Sequence, residues 1–392
     1  MHRRTFIRLA GGSAVLAAAA AGSWAWAGAR VFPVPQGAVA AWAAAGQDAE
    51  PRRFALAHAI LAPNSHNLQP WRADLSVPGV IGISLDPARM LPETDPYNRQ
   101  ITMGLGTFLE LLEMAAAARG FQAQTTLFPE GVPGERLNGR RLATVRMVED
   151  PQAATPPLFA EAARRRTDRR AYDPSRPVQA GDIAALVAAA QPGDGLRAGV
   201  ATGRGQVAEI RRIAREAWAQ ELLTERTFME SARVLRIGTS EIERHRDGIV
   251  IVAPMLVLLE RSGLYDRGVY PAPDSIAITS QIAEFDAITE ATAAYLWIVT
   301  EGNARAAQVA AGRAYMRMAL EASARGLALH PNQQALQEYP QVAPHHAAIH
   351  ELLDAPRPAN TVQMLARLGY PSAGASEQPP APRRGLEAHL TG

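Results

Sequence analysis

The chain has 392 residues, 47% hydrophobic and 20% charged, with a formal net charge of +2. It holds no cysteine, and all 40 basic residues are arginine, which excludes disulfides, thiolate nucleophiles, Cys-bound clusters, lysine Schiff bases and the ordinary P-loop. So balanced a charge gives no reason to expect nucleic-acid binding, and any anion site must use guanidinium forks, hydroxyls and helix N-termini.

Residues 1–27 read as a secretory signal peptide. His2-Arg3-Arg4-Thr5-Phe6-Ile7-Arg8 precedes an uncharged run to Ala29 with a small-x-small exit at Ala25-Trp26-Ala27, and the paired arginines resemble a twin-arginine (Tat) leader. The expectation is export by the Tat machinery to the periplasm or another extracytoplasmic space, with membrane anchoring if the leader stays uncleaved. A Pro- and Ala-rich linker follows over 28–50. Residues 53–61 read as a helix ending near Pro63, and a polar loop over 63–71 leads into an alternating stretch through Ile83. Residues 101–119 form a strongly apolar helix halted at Gly120, and 121–128 and 142–148 alternate as strands.

A second unit opens near Arg164. Residues 183–190 read as helix, 192–195 as turn, 196–202 and 294–300 as strands, and 312–325 as an apolar helix stopped at Gly326. Two helix ends match: Ala116-Ala117-Ala118-Arg119-Gly120 and Ala322-Ser323-Ala324-Arg325-Gly326. Each leads through an apolar extended segment to a proline, Pro129 or Pro331. These glycines are offset by 206 residues (326 − 120), whereas the helix ends at Ala62-Pro63 and Ala190-Gln191-Pro192 are offset by 128 (190 − 62). Duplication then requires an insertion of about 78 residues in the second unit. The expected halves are 51–150 and 151–392, the latter carrying a lid-like segment at about 204–293.

Two stretches carry candidate chemistry. The loop Pro63-Asn64-Ser65-His66-Asn67-Leu68-Gln69-Pro70-Trp71 concentrates amides and a hydroxyl that can bind phosphate, ribityl or ring atoms, although such side chains also cap their own turns. The cluster Arg164-Arg165-Arg166-Thr167-Asp168-Arg169-Arg170 offers guanidinium forks for a phosphate, or simply a solvated charged face.

Together these motifs resemble the nitroreductase-like FMN-binding superfamily, which carries an Arg-Arg-Ser-x-Arg motif and a Pro-Ser-Ser-x-Asn-x-Gln-Pro-Trp loop. Pro63, Ser65, Asn67, Gln69, Pro70 and Trp71 match the loop, with Asn64 in place of the first serine. Arg165, Arg166, Thr167 and Arg169 match the basic motif, and Arg383 and Arg384 suit the C-terminal phosphate contacts of the family. The resemblance implies an α+β nitroreductase-like fold, here as two degenerate copies forming an internal pseudo-dimer of the single-chain Acg type. It also implies one non-covalent FMN between the halves, held by Pro63, Asn64, Ser65, Asn67, Gln69, Arg165, Arg166, Thr167, Arg169, Arg383 and Arg384. The implied function is an FMN-dependent oxidoreductase passing two electrons from a donor such as NAD(P)H to a small-molecule acceptor. The alternative is an exported protein that sequesters flavin without turnover. The flavin carries the chemistry, and no catalytic acid or base stands out; His66 either faces the ring or caps the loop.

Three other patterns weigh less. Gly203-Arg204-Gly205-Gln206-Val207-Ala208 imitates a dinucleotide fingerprint without a second parallel strand. His345, His346 and His350 read as surface histidines and not as a metal site, since no third ligand is evident. Tyr315 and its neighbours read as core.

Overall fold

The computed structural model describes residues 34–191, 193 and 195–391. The leader at 1–27 lies outside these residues. Among the described residues no helix is long and apolar enough to cross a membrane.

The expected linker contains a packed element, helix α1 (Gln36–Ala44), whose Ala38 and Trp42 are buried. Its alanine run supports a helix, and the tail at the other end of the chain holds it: Trp42 Nε1 donates to the Ala381 carbonyl at 2.8 Å and the Arg383 amide to the Ala38 carbonyl at 2.8 Å. The first unit then runs α2 (Pro51–Ala59), β1 (Trp71–Asp74), β2 (Val80–Leu85), α3 (Arg99–Ala117), β3 (Phe121–Leu127) and β4 (Ala143–Glu149). Helix α2 starts where it does because Pro51 occupies its first turn and the Glu50 carboxylate accepts from the Arg52 and Arg53 amides.

The second unit repeats that order with α4 (Ala180–Ala190), β5 (Leu196–Ala201), β8 (Ala294–Glu301), α10 (Arg305–Ala324), β9 (Ala328–Pro331) and β10 (Asn360–Gly369). The first sheet is ordered β1-β2-β4-β3 and the second β5-β8-β10-β9, with every one of these neighbours antiparallel. Helices α3 and α10 end alike, on Gly120 (φ 78°) and Gly326 (φ 65°) in the left-handed conformation that closes a helix. The chain thus contains two copies of one α+β unit. A final strand, β11 (Leu390–Thr391), leaves the second unit and adds parallel to β1 in the first sheet.

Between β5 and β8 lie α5 (Arg204–Leu223), α6 (Glu225–Arg233), β6 (Leu235–Ile237), α7 (Thr239–His245), β7 (Ile249–Ile251), α8 (Pro254–Arg261) and α9 (Ile276–Glu290). Strand β5 pairs with β8 antiparallel, so the Gly203 turn opens α5 without a parallel crossover. Helices α5 and α11 (Ala343–Leu352) cover the outer face of the second sheet, which explains why β10 is buried along nearly all its length. In contrast β3 buries only alternate residues partially. The histidines on α11 depart from the surface reading: His350 is buried, its Nε2 accepting from the Val362 amide at 3.0 Å.

The copies meet along α3 and α10, which cross in backbone contact. A Cβ on Gly106 would stand 2.1 Å from the Val309 carbonyl oxygen, and one on Gly312 would stand 2.0 Å from that of Met103. Beyond the crossing, Arg313 pairs with Glu113 at 2.6 Å and Arg317 with Glu110 at 3.0 Å.

Candidate functional site

The loop after α2 holds an unusual backbone. His66, Asn67 and Gln69 all have φ near +50°, a region that costs a non-glycine residue about 1 kcal/mol or more. Side-chain amides maintain it. Asn64 Oδ1 accepts from the Gln69 amide at 2.8 Å, and Thr107 on α3 donates to the Pro63 carbonyl at 2.8 Å.

The same amides bind two other segments onto the loop. Gln69, fully buried, accepts from the Arg384 amide at 2.9 Å and donates to the Arg246 carbonyl at 2.8 Å. Asn67 donates to the Pro382 carbonyl at 3.0 Å and accepts from Arg383, while its own carbonyl takes the Gly248 amide at 3.1 Å. Asn64, Asn67 and Gln69 therefore spend their amides on protein, which is the loop-capping use the local chemistry also allowed. Ser65 Oγ and His66 Nδ1 have no protein partner among the described residues and remain accessible.

The arginine motif comes from the second unit, ahead of α4. Buried Arg367 on β10 donates to the Arg169 and Arg170 carbonyls at 3.3 and 2.8 Å, and the Asp168 amide donates to the Leu329 carbonyl at 3.1 Å. The only carboxylate in the motif, Asp168, is occupied by Arg170 at 2.6 Å. Arg165 is 4% exposed, with a 3.4 Å contact to Thr167 Oγ1 and no partner for its Nε. Arg169 is exposed, and its charge faces His66 and Tyr315. Arg383, 2% exposed, reaches the Leu61 and Ala62 carbonyls, again with Nε unpartnered. Among the described residues no ion pair neutralises Arg165, Arg169 or Arg383.

Arg166 and Arg384 have more protein partners, although the Arg384 Nε is also unpartnered. Arg166 lies over the Trp42 ring and donates to the Ala163 and Arg165 carbonyls; Arg384 donates to the Gln69 carbonyl. Both brace the site.

Desolvation without counter-charge depresses Arg165, Arg169 and Arg383. Arg165 is held down to about 10 and Arg383 to about 9, chiefly by burial and then by Arg166, with Arg165 adding to the effect on Arg383. Burial followed by the Arg169 charge brings His66 to about 4. His330 on β9 is pushed well below its usual value by burial, Arg367 and Arg169; its Nδ1 lies 3.0 Å from Arg367 Nη1, which fixes the proton on Nε2. Tyr315 on α10 is raised to about 12 by burial, with Arg165 and Arg169 opposing. Tyr315 thus belongs beside the arginines and not only to the core, and His330 was missed because a lone histidine in an apolar strand carries no motif.

The arrangement gathers cations and hydrogen-bonding groups where the two units meet: Arg165, Arg169, His330 and Tyr315 from the second, Ser65 and His66 from the first, and Arg383 from the tail. Buried guanidiniums so uncompensated are costly unless a ligand supplies negative charge.

No protein-family model matches the chain. Over 349 residues, covering 86% of this chain and 90% of the relative, it is 32% identical to the Mycobacterium tuberculosis protein named "Putative NAD(P)H nitroreductase Rv3131". A shorter stretch of 71 residues, 18% of this chain and 21% of the relative, is 37% identical to "Putative NAD(P)H nitroreductase acg" of the same organism. Among solved structures, a nitroreductase with bound FMN from Bacteroides fragilis aligns with 57% of this chain and 94% of its own at 14% identity and a TM-score of 0.34. The FMN-dependent nitroreductase NfnB from Mycobacterium smegmatis, in complex with NADPH, aligns with 57% and 92% at 18% identity and a TM-score of 0.32.

Proposed function

Because the chain belongs to the nitroreductase family, we propose that it is an FMN-dependent oxidoreductase that takes electrons from NAD(P)H and passes them to a small organic acceptor. The observation that carries this is the pair Arg165 and Arg383, buried without an ion pair among the described residues, with the exposed Arg169 beside His66 and Tyr315. A phosphomonoester fits the donor set: the Nε atoms of Arg165 and Arg383 are buried without a partner, and a dianion would offset the burial that depresses them. FMN supplies the hydride chemistry when bound. This chain's residues hold and surround it: the arginines take the phosphate, while Ser65, His66 and neutral His330 offer hydrogen bonds.

A second reading, flavin sequestration, draws on the inserted segment. Its Arg246 carbonyl, Gly248 amide and Ser231 hydroxyl all bond to the loop, so it packs directly on the residues that would hold the flavin. One experiment separates the readings. Protein purified without added flavin is expected to be yellow, to bleach with NAD(P)H and to recover its colour with a nitroaromatic or quinone. Colour without bleaching selects sequestration, and colourless protein that ignores FMN refutes both. Export by the Tat route is part of this proposal; replacing Arg3 and Arg4 with lysine is expected to retain the protein in the cytoplasm on fractionation.

A further inference from the structure

A buried carboxylate in the inserted segment is linked to the arginine cluster by two side chains. Glu221 on α5 is 4% exposed. Its Oε2 accepts from Gln337 Nε2 at 2.7 Å, and its Oε1 lies 3.5 Å from the Ser231 hydroxyl. Ser231 Oγ lies in turn 3.0 Å from His66 Nε2. The opposite ring nitrogen, Nδ1, has no protein partner among the described residues and is the accessible end of the chain. Neither the loop motif nor the anion site needs a carboxylate here, and an unpaired buried acid has no stabilising value that would account for it.

We propose that Glu221, Ser231 and His66 form a proton relay running from the inserted segment to the arginine cluster at the meeting of the two units, with His66 Nδ1 as the atom that hands over the proton. It rests on the oxidoreductase reading for its use: an acceptor that has taken up a hydride needs one proton. In the loaded state the Glu221 carboxyl donates to Ser231 Oγ, the serine hydroxyl donates to His66 Nε2, and Nδ1 carries its hydrogen toward the arginine cluster. On transfer, Nδ1 loses its proton to the acceptor, Nε2 gains the serine proton, Ser231 regains one from Glu221, and Glu221 is left as the carboxylate. No atom is oxidised or reduced along the chain. His66 passes between two neutral tautomers and never needs to become a cation, which Arg169 and burial oppose.

The charges around the relay suit it. Glu221 is raised to about 7, first by burial and then by Glu230, against Gln337 and Ser231. Glu230 is already occupied by the Glu93 and Thr94 amides and the Thr94 hydroxyl. Tyr339 also faces Glu221, and burial together with that carboxylate keeps its phenol protonated. Arg169 is the charged group that faces His66. A carboxyl that titrates near neutrality can be both loaded and spent.

The test uses 15N-histidine NMR on the full chain without added flavin, His66→Gln identifying the signal among nine histidines. In the wild type, the His66 proton is expected to move from Nδ1 to Nε2 as pH rises through about 7. Glu221→Gln, whose amide has no titrating proton, leaves one tautomer at every pH, and Ser231→Ala abolishes the transition. On flavin-loaded protein, Ser231→Ala is expected to slow reoxidation by a quinone roughly 100-fold and to slow bleaching by NAD(P)H far less, since hydride uptake needs no proton from the chain. A single tautomer across the titration, or a transition that survives Glu221→Gln, overturns the relay while leaving flavin binding intact. Colourless protein with a normal tautomer switch overturns the oxidoreductase reading instead.

Discussion

The closeness of α3 and α10 can be tested on one helix with two glycines only two residues apart in sequence. Gly104 has room: an added Cβ would find Asn64 Cβ at 3.6 Å, ordinary van der Waals contact. Gly106 has none, because the same methyl would stand 2.1 Å from the Val309 carbonyl oxygen and 3.0 Å from the Arg313 amide nitrogen. Both substitutions gain about 1 kcal/mol of helix propensity. At Gly104→Ala that gain is expected to survive. At Gly106→Ala, the partner backbone must retreat by 0.9 Å (3.0 − 2.1) to clear even the closest tolerable approach, and overpacking of this kind costs about 3 kcal/mol. The net loss is about 2 kcal/mol, so the two variants should differ by about 3 kcal/mol in urea unfolding at unchanged m-value. Because α3 pins the Pro63 loop through Thr107 and α10 carries Tyr315 beside Arg165, Gly106→Ala should also weaken FMN binding, and Gly104→Ala should weaken it less. Equal stabilities for the two variants would refute the close crossing.

Arg165→Met is expected to move stability and binding in opposite directions: the flavin-free protein gains about 1–3 kcal/mol by losing an unpaired buried cation, while FMN affinity, read by fluorescence titration, falls about 10- to 100-fold. Arg166→Met should weaken FMN far less. Acidification should destabilise the protein: His66 (about 4), His389 (about 3) and His346 (about 3) have folded values below the unfolded one, so the unfolded chain binds more protons between about pH 6.5 and 4 and stability drops across that window in pH-dependent denaturation. Glu221 has the opposite sign. Its folded value near 7 exceeds the unfolded one, so its burial costs stability as pH rises from about 4.5 to 7, and Glu221→Gln should flatten that part of the profile. Deleting residues 386–392 removes β11 from the edge of the first sheet, along with the His389 contact to the Trp71 carbonyl; lowered stability and reduced FMN retention on gel filtration are expected.

The repeated unit was legible because helix ends write themselves into sequence. Gly120 and Gly326 end the near-identical pentapeptides that close α3 and α10, and a left-handed closing residue is a position that favours glycine. Helix α1 was not legible: Ala and Pro fit a connector equally well, and what makes it a helix is Trp42 packing onto a tail some 340 residues later. The site was half legible. The loop and arginine motifs were visible as clusters of side chains, but which members stay free for a ligand depends on partners. Asn67 and Gln69 match the family loop, yet the tail and the inserted segment consume their amides. Ser65 and His66 gain importance by what they do not touch. His330 and Tyr315 reach the arginine cluster through sheet register and helix crossing, which no local pattern encodes.

Duplication within one chain removes a constraint that a homodimer cannot escape, where each substitution appears twice. The 128-residue offset that relates the ends of α2 and α4 carries Arg165 and Arg169 back onto Gly37 and Ala41, in α1. That helix contains no basic residue; instead it supplies Trp42 as the platform for Arg166 and Arg383. The segment that would serve a reciprocal anion site thus buttresses the existing one. The other half of that reciprocal site is equally changed, since the turn after α4 has glycines at 193 and 195 where the first unit has its amide loop. With one site dismantled, the second unit was free to accept the α5–α9 insertion, and only there does a carboxylate stand behind His66. One flavin per chain, measured by absorbance against protein, is the stoichiometry this asymmetry requires; two would mean that a second site forms without the guanidiniums on which the first depends.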